Sequence, residues 1–235
     1  MKLPAALLAL LALLLTYSSA STNNYTTINF DTLSTTSGLG PLPSPHYHLS
    51  FHSYSVLTPH SPSLKNIISP HDTNCAISAP NALLGSRPCE DCTGAYFEIA
   101  NATWMKEEGL NPWFTLVGFW IKPTDAPEPG TTIRVRGYKA GEEKETEETE
   151  ALEWEVEFPS GFHDMFEVRI EEFSGMKWER LRRVEVVADF GYGPLDWEFC
   201  VDDLVVQFFE VEKDEQEEEG GARIVGEQEV LSEEI

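Results

Sequence analysis

Basic residues are scarce in this sequence. Its 235 residues include 16 lysines and arginines against 40 aspartates and glutamates, which gives a formal net charge of −24 at pH 7. Binding to the phosphates of nucleic acids or of anionic lipids needs a cluster of Lys and Arg side chains. No such cluster occurs, so we expect neither a nucleic-acid partner nor a membrane partner.

Sequence signatures of catalysis are also missing. The chain has no Gly-x-Ser-x-Gly motif and no glycine-rich phosphate-binding loop. A glycosidase needs two carboxylates placed across a cleft, and among 40 acidic residues the sequence singles out no pair. We therefore expect a protein without catalytic activity, although the sequence does not exclude an enzyme.

Long apolar runs are absent except at the N-terminus. Residues 1–20 read MKLPAALLALLALLLTYSSA, in which Lys2 precedes the apolar run Leu7–Leu15 and small residues end at Ala20. This arrangement is typical of a secretory signal peptide, and the run is shorter than the roughly 20 residues that span a bilayer. We expect a secreted, extracellular protein whose mature chain begins near Ser21.

Four cysteines are present: Cys75, Cys89, Cys92 and Cys200. An even number in a secreted chain indicates two disulfides, for which three connectivities are possible. Cys89 and Cys92 are close enough to close a small loop, which would pair Cys75 with Cys200. A redox site or half of a zinc site is disfavoured, because the Cys89–Cys92 segment resembles a loop and no second ligand pair has matching spacing.

Two segments match the acceptor sequence for N-glycosylation. They are Asn24-Tyr25-Thr26 and Asn101-Ala102-Thr103. We expect glycans at Asn24 and Asn101 if the protein passes through a eukaryotic secretory pathway.

Short β-branched and aromatic segments separated by Pro, Gly, Ser and Asn clusters fill the chain from Ile28 onward. Ile133 and Val135 alternate with arginines, which is typical of a strand with one face on the core. No long segment has helical periodicity. The pattern predicts an all-β fold, an antiparallel β-sandwich or jelly roll. The predicted strands are Ile28–Leu33, Leu49–Val56, Ala95–Ile99, Phe114–Ile121, Thr132–Tyr138, Leu152–Phe158, Met165–Ile170, Arg183–Phe190 and Phe199–Phe209.

Charge and composition divide the chain further. After the signal peptide (1–20) we expect a flexible leader (21–27), a β-sandwich domain (28–209) and an acidic tail (210–235). Within the domain, residues 141–150 (GEEKETEETE) form an acidic insertion or hairpin tip. Like charges at this density resist compaction, so we expect the tail to be disordered.

Several blocks in a particular order carry a resemblance to a known family. They are Ile28–Leu33, the proline-rich loop before Leu49, Ser78–Leu83, Trp113–Lys122 and Trp197–Val206. The set resembles a family of largely uncharacterised secreted fungal proteins with a jelly-roll domain similar to galactose-binding-like and carbohydrate-binding modules. The resemblance covers about Ile28 to Phe209. The chain departs from the pattern at His48, where the family turn would have glycine.

The resemblance implies a structural calcium ion. In similar modules a carboxylate at the start of the Asp-Asp pair in the last strand helps to hold the ion, and this position is Asp202, with Asp31 or a nearby backbone carbonyl as co-ligand. Independently, Asp202 and Asp203 interrupt an apolar strand, so one of them should point inward. A buried carboxylate needs hydrogen bonds or a cation, and both alternatives stay open.

Aromatic residues are the candidate ligand contacts. Trp104 and Trp113 flank the segment Met105–Pro112, which we interpret as a loop, and Tyr192 lies in the turn-forming segment Gly191–Pro194. Exposed aromatic rings serve as stacking platforms for sugars. We therefore predict Trp104, Trp113 and Tyr192 as sugar contacts.

Together these features predict a secreted, non-catalytic β-sandwich that binds a polysaccharide or another glycan of a cell wall or matrix. One alternative is a structural or host-interaction protein without sugar specificity, whose acidic surface serves solubility or attracts basic partners. A less favoured alternative is a jelly-roll hydrolase or lyase.

Overall fold

The computed structural model describes residues 24–86, 94–125, 127, 129–141, 148–190 and 198–211. These ranges contain twelve strands: β1 Tyr25–Ile28, β2 Leu39–Pro41, β3 Leu49–His52, β4 Tyr54–Leu57, β5 Ala82–Gly85, β6 Ala95–Ile99, β7 Leu110–Pro123, β8 Thr132–Ala140, β9 Glu148–Glu157, β10 Phe166–Arg169, β11 Trp178–Asp189 and β12 Phe199–Glu210. The same ranges contain two short α-helices, α1 (Ala102–Glu107) and α2 (Ile170–Ser174), and two 3₁₀ helices, Pro62–Leu64 and Pro70–Asn74. The predicted all-β fold is confirmed.

Every strand pair is antiparallel, and the long strands β7 and β12 lie at the centre. On one side, β12 pairs with β5 and β1, and β4 and β2 follow β5. On the other side, β7 pairs with β10 and β11. Strand β11 continues to β6 and β3 and to β8 and β9.

The two halves of this arrangement enclose one apolar core. Alternate residues of β8 and β11, such as Ile133 and Val184, are fully buried, as is Phe114 of β7. The Phe97 ring of β6 lies 5.9 Å from the Phe114 ring of β7, measured between centroids. Burying one such side chain contributes about 1.5–3 kcal/mol to the free energy of folding. The alternating apolar residues that the sequence shows therefore form the core of the sandwich.

A second, smaller apolar cluster lies outside this core. It is formed by Leu57, Leu64, Cys75, Ala82, Met165 and Cys200. Residues 70–81, called here the covering segment, contribute Cys75, which forms a disulfide with Cys200 of β12. This is the pairing that the sequence favours. The other two cysteines, Cys89 and Cys92, lie outside the described residues.

The N-terminal strands differ from the sequence prediction. Strand β1 ends where the predicted strand Ile28–Leu33 would begin, and Leu33 instead closes a turn by donating its N–H to the carbonyl of Phe30 at 3.0 Å. The predicted strand Leu49–Val56 is two strands, because Ser53 adopts φ 59° between β3 and β4. Strand β3 pairs with β6 and β4 pairs with β5, so the alternation continues around a corner of the sandwich.

The turn at His48 keeps a backbone geometry suited to glycine. His48 has φ 67° and the preceding Tyr47 has φ 48°. Such positive values disfavour residues with a Cβ atom. His48 and Tyr47 therefore adopt left-handed conformations in this turn despite their Cβ atoms.

Several predicted segments lie wholly or partly outside the described residues: 1–20 (signal peptide), 21–23 of the leader, 142–147 within the acidic insertion, and 212–235 of the tail. Residues 25–27 of the predicted flexible leader belong to β1, which pairs with β12. Residues 148–150 belong to β9, and Glu210 is the last residue of β12. Among the described helices, none is both long enough and apolar enough to cross a membrane.

Candidate functional site

An open cleft of about 830 Å³ lies where β7 begins and β12 ends. Lys106, Glu108, Asn111, Trp113, Arg180 and Glu210 line it together with neighbouring backbone. One aromatic ring, both signs of charge and an amide thus face a single space. Ligand sites usually combine apolar surface with a few polar groups in this way.

Trp113 supplies the aromatic surface of the cleft. It lies in β7 and is half-buried, and the centroid of its ring is 4.8 Å from that of the Phe209 ring in β12. This contact supports one part of the indole, while the exposed part faces the cleft. A ring held in this way can stack against a sugar without first losing rotamer freedom.

Hydrogen bonds to backbone carbonyl groups hold the floor and rim of the cleft together. The Asn111 side-chain amide donates to the carbonyl of Glu210 at 2.9 Å and to that of Phe209 at 3.3 Å. The N–H of Val211 donates to the carbonyl of Gly109 at 2.8 Å. These bonds connect the end of β12 to the turn after α1, so both sides of the cleft are positioned by ordered elements.

Arg180 is a cleft residue that the sequence did not reveal. It has φ 58° and lies in β11 where the pairing register with β7 shifts between Trp178 and Leu181. A non-glycine residue in this conformation costs on the order of 1 kcal/mol. Such strained residues and β-bulges concentrate at functional sites. No local sequence signal marks Arg180, because it is one of several charged residues in an ordinary strand pattern.

The two predicted sugar contacts that the structure describes, Trp104 and Trp113, do not line the same cleft. Trp104 lies in α1, and the centroid of its ring is 5.0 Å from that of His48, whose ring in turn lies 5.3 Å from that of Phe208. Trp104 is absent from the described residues that line the cleft. Tyr192 lies outside the described residues, so only Trp113 is observed at the cleft.

The interpretation of Met105–Pro112 as a loop is wrong. This segment contains the end of α1 and the start of β7. Asn101 begins the helix, since its Oδ1 accepts hydrogen bonds from the N–H groups of Thr103 at 2.9 Å and Trp104 at 3.0 Å. Asparagine is a favoured N-cap residue, so this signal could have identified the helix.

Asp202 is completely buried beneath the covering segment. Its Oδ2 accepts hydrogen bonds from the N–H groups of Ile77 at 2.8 Å and Ser78 at 3.0 Å, and its Oδ1 accepts one from the N–H of Asp203 at 2.8 Å. Burial raises the pKa of Asp202 to about 7, and the nearby Asp203 carboxylate adds to this, while the three N–H groups oppose it. Three backbone N–H groups therefore donate hydrogen bonds to this carboxylate.

Asp31 holds the other end of the same short segment. Its Oδ1 accepts a hydrogen bond from the N–H of Asn81 at 3.2 Å. Asp31 and Asp202 therefore act on residues 77–81 from two sides. In the described ranges, no three His, Cys, Asp or Glu side chains are grouped so that they could hold a metal ion. Calcium at Asp31 and Asp202 stays a prediction.

Both predicted glycosylation sites are exposed. Asn24 precedes β1, and Asn101 is the N-cap residue of α1. The Asn101 cap uses the side-chain oxygen, whereas an N-glycan attaches to the side-chain nitrogen, so the cap and a glycan are compatible. Glycosylation at Asn24 and Asn101 stays a prediction.

Among solved structures, two proteins align with most of this chain at low similarity. One is a DUF4465 family protein from Bacteroides caccae, with a TM-score of 0.44, 12% sequence identity, and coverage of 83% of this chain and 96% of the other. Another is a DUF4465 family protein from Bacteroides ovatus, with a TM-score of 0.41, 10% identity, and coverage of 79% of this chain and 83% of the other. No protein-family model and no curated protein matches this sequence.

Proposed function

We propose that this protein is a secreted, non-catalytic glycan-binding protein of the galactose-binding-like jelly-roll type, and that the cleft beside Trp113 is its binding site. The observation that supports the proposal is the half-exposed Trp113 ring, supported by Phe209, inside a cleft of about 830 Å³. Of the two predicted aromatic contacts that the structure describes, Trp113 lines this cleft and Trp104 does not. Origin in a secreted fungal family is part of the same proposal.

The polar rim suits a sugar. A pyranose ring presents apolar C–H groups on one face and hydroxyl groups around its edge. The ring of Trp113 would contact the face, while Lys106, Arg180, Glu108 and Glu210 offer both hydrogen-bond donors and acceptors to the edge. This mixed rim does not by itself select one glycan.

The test is retention of the mature protein on insoluble cellulose, chitin and xylan, with soluble β-glucans as competitors. We expect retention on at least one of them, and a loss of about tenfold in affinity for Trp113→Ala, with a smaller loss for Trp113→Phe, which keeps a ring. A matched control is Tyr47→Asn. It removes an exposed ring elsewhere, at φ 48°, where asparagine is well tolerated.

Unchanged retention of a folded Trp113→Ala variant would overturn the assignment of the cleft. Absence of retention by the parent protein on every glycan would overturn the function itself. Release of reducing sugar by the parent protein would replace it with the hydrolase alternative.

A further inference from the structure

A second open space, on another surface of the protein, is a groove of about 430 Å³. It lies between β7, β10, β12 and the short helix α2. Val117 and Trp120 of β7 and Val205 of β12 contribute apolar side chains to it, and all three are half-buried. The groove thus has apolar surface, including an indole ring, that the described part of the chain leaves uncovered.

The rim of this groove is acidic. It contains Glu167, Glu171, Glu172 and Asp203 and a single basic residue, Arg169. Arg169 forms ion pairs with Glu167 at 2.9 Å and with Glu172 at 3.5 Å. In the described ranges neither Glu171 nor Asp203 has a basic partner. With four acidic residues and one basic residue, the rim carries a formal charge of −3.

A bulge in β12 directs Asp203 to this surface. Asp203 has φ 46°, and the register with β7 shifts between Asp202 and Val205. The Ser78 hydroxyl lies 3.4 Å from Asp202 Oδ2 and 3.1 Å from Asp203 Oδ1. Two successive carboxylates therefore lie on the same side of the strand, which ordinary alternation forbids and a bulge permits.

The wall of the groove depends on close backbone approach. A Cβ atom on Gly118 would lie 2.5 Å from the carbonyl oxygen of Val168 in β10. A residue with a Cβ atom at position 118 would therefore push β10 away from β7. The acidic residues at the start of α2 follow β10 directly and would move with it. The acidic residues that follow β10 therefore line the same groove as the Trp120 ring.

We infer that this groove binds a lysine or arginine side chain of a basic partner protein. The aliphatic stem would lie along Val117, Trp120 and Val205, and the charged end would meet Glu171 and Asp203. An indole ring attracts cations through its face, and carboxylates add charge complementarity. Like charge disfavours occupation by this chain's own acidic segments, such as residues 213–219 (KDEQEEE).

The experiment measures binding of a fluorescein-labelled pentalysine peptide to the full mature chain by anisotropy at low salt. The matched probe is the same peptide with every lysine acetylated, which keeps the stems and removes the charge. The test variant is Glu171→Gln/Asp203→Asn. Asparagine suits φ 46°, so the fold should be preserved. The control variant, Glu107→Gln/Glu179→Gln, makes the same charge change at two exposed residues that do not line the groove.

We expect Glu171→Gln/Asp203→Asn to weaken pentalysine binding about tenfold and the control variant to weaken it less than about twofold. The acetylated peptide should not bind, and pentalysine should shift the NMR signal of the Trp120 indole N–H, assigned with Trp120→Phe. Equal weakening by the two double variants, or an unmoved Trp120 signal at saturation, would overturn the inference in favour of general attraction to an acidic protein.

Discussion

The Lys122 ammonium lies 3.0 Å from Oδ1 of Asp72, and both side chains are almost completely buried. Lys122 also donates to the carbonyl oxygens of His71 at 2.6 Å and His163 at 3.2 Å. On the neighbouring strand, Cys200 lies directly opposite Lys122. An ion pair, a disulfide and the Asp202 carboxylate therefore hold the covering segment against the same surface of β7 and β12.

Replacing Lys122 by methionine should destabilise the protein by about 3–5 kcal/mol. The substitution keeps the apolar stem but leaves the Asp72 carboxylate buried without its cation, and an uncompensated buried charge is costly. Urea denaturation followed by near-UV circular dichroism measures the free energy of unfolding. Lys65→Met is the control, because Lys65 is exposed, and it should change stability by less than about 0.5 kcal/mol.

A second substitution separates the charge from packing. Asp72→Asn in the Lys122→Met background removes the unpaired charge and keeps an oxygen for the N–H of Asp125, which lies 2.8 Å from Asp72 Oδ1. We expect the double variant to regain part of the lost stability. A double variant as unstable as the sum of the single variants would show that the two side chains do not act as a pair.

The contribution of Asp202 to stability should fall as the pH rises from about 4 to about 7. Burial raises the pKa of Asp202 from 3.8 to about 7, so in this window the folded state retains a proton that the unfolded state releases. The contribution of this group to the free energy of unfolding therefore decreases through the window, by on the order of 4 kcal/mol in total, and levels off above it. The check is the difference between parent and Asp202→Asn across this pH range, which isolates the contribution of this carboxyl group.

Calcium would reverse this behaviour. A cation bound to Asp202 and Asp31 favours the ionised carboxylate and would lower its pKa, so added calcium would raise the melting temperature near pH 7. The measurement compares calcium with a chelator at pH 7. Identical melting temperatures in the two buffers would exclude the calcium site and leave the hydrogen bonds to Ile77 and Ser78 as the whole role of Asp202.

Arg180→Gly should stabilise the fold and weaken glycan retention. Glycine adopts φ 58° without strain, which offers about 1 kcal/mol, while loss of the guanidinium removes a polar group from the cleft. The neighbouring variant Glu179→Gly is the control. Glu179 is in the same strand without positive φ, so glycine there should cost about 0.5–1 kcal/mol. Equal destabilisation by both variants would contradict the view that strain is stored at Arg180.

Gly118→Ala should destabilise the protein by about 1–3 kcal/mol. The added Cβ would meet the Val168 carbonyl at 2.5 Å, and backbone cannot move aside as a side chain can. Gly161→Ala is the control, because Gly161 has φ 73° but open space around its Cβ position. It should cost only about 1 kcal/mol. A Gly118→Ala variant no less stable than Gly161→Ala would show that β10 yields easily.

Much of the fold could be predicted because the signals are local. Alternation identified β6 at Ala95–Ile99 and the inner residues Ile133 and Val135 of β8. Pattern alone did not reveal β2 and β5, which are only three and four residues long. Their pairing with longer strands stabilises them, and no local feature of the sequence specifies that pairing.

The candidate sites were predictable only in part. Trp113 was identified as one of the aromatic residues outside the expected core, and it lines the cleft. Trp104 is predicted together with Trp113 because both flank the segment Met105–Pro112, which the sequence suggests is a loop. The Asn101 cap and the turn after α1 place the Trp104 ring against His48 instead. Proximity along the chain therefore did not translate into proximity in space.

Three features can be read from the sequence: the all-β class, the favoured pairing of Cys75 with Cys200, and a buried carboxylate in the last strand. These follow from period-two alternation, cysteine spacing and the cost of burying charge, which are properties of short segments. Two features depend on the folded arrangement of distant strands. They are the hydrogen-bond partners of Asp202 and the positions of Arg180 and Asp203 at bulges beside open spaces. Bulges and hydrogen-bond partners depend on strands distant in sequence, so no local pattern could specify them.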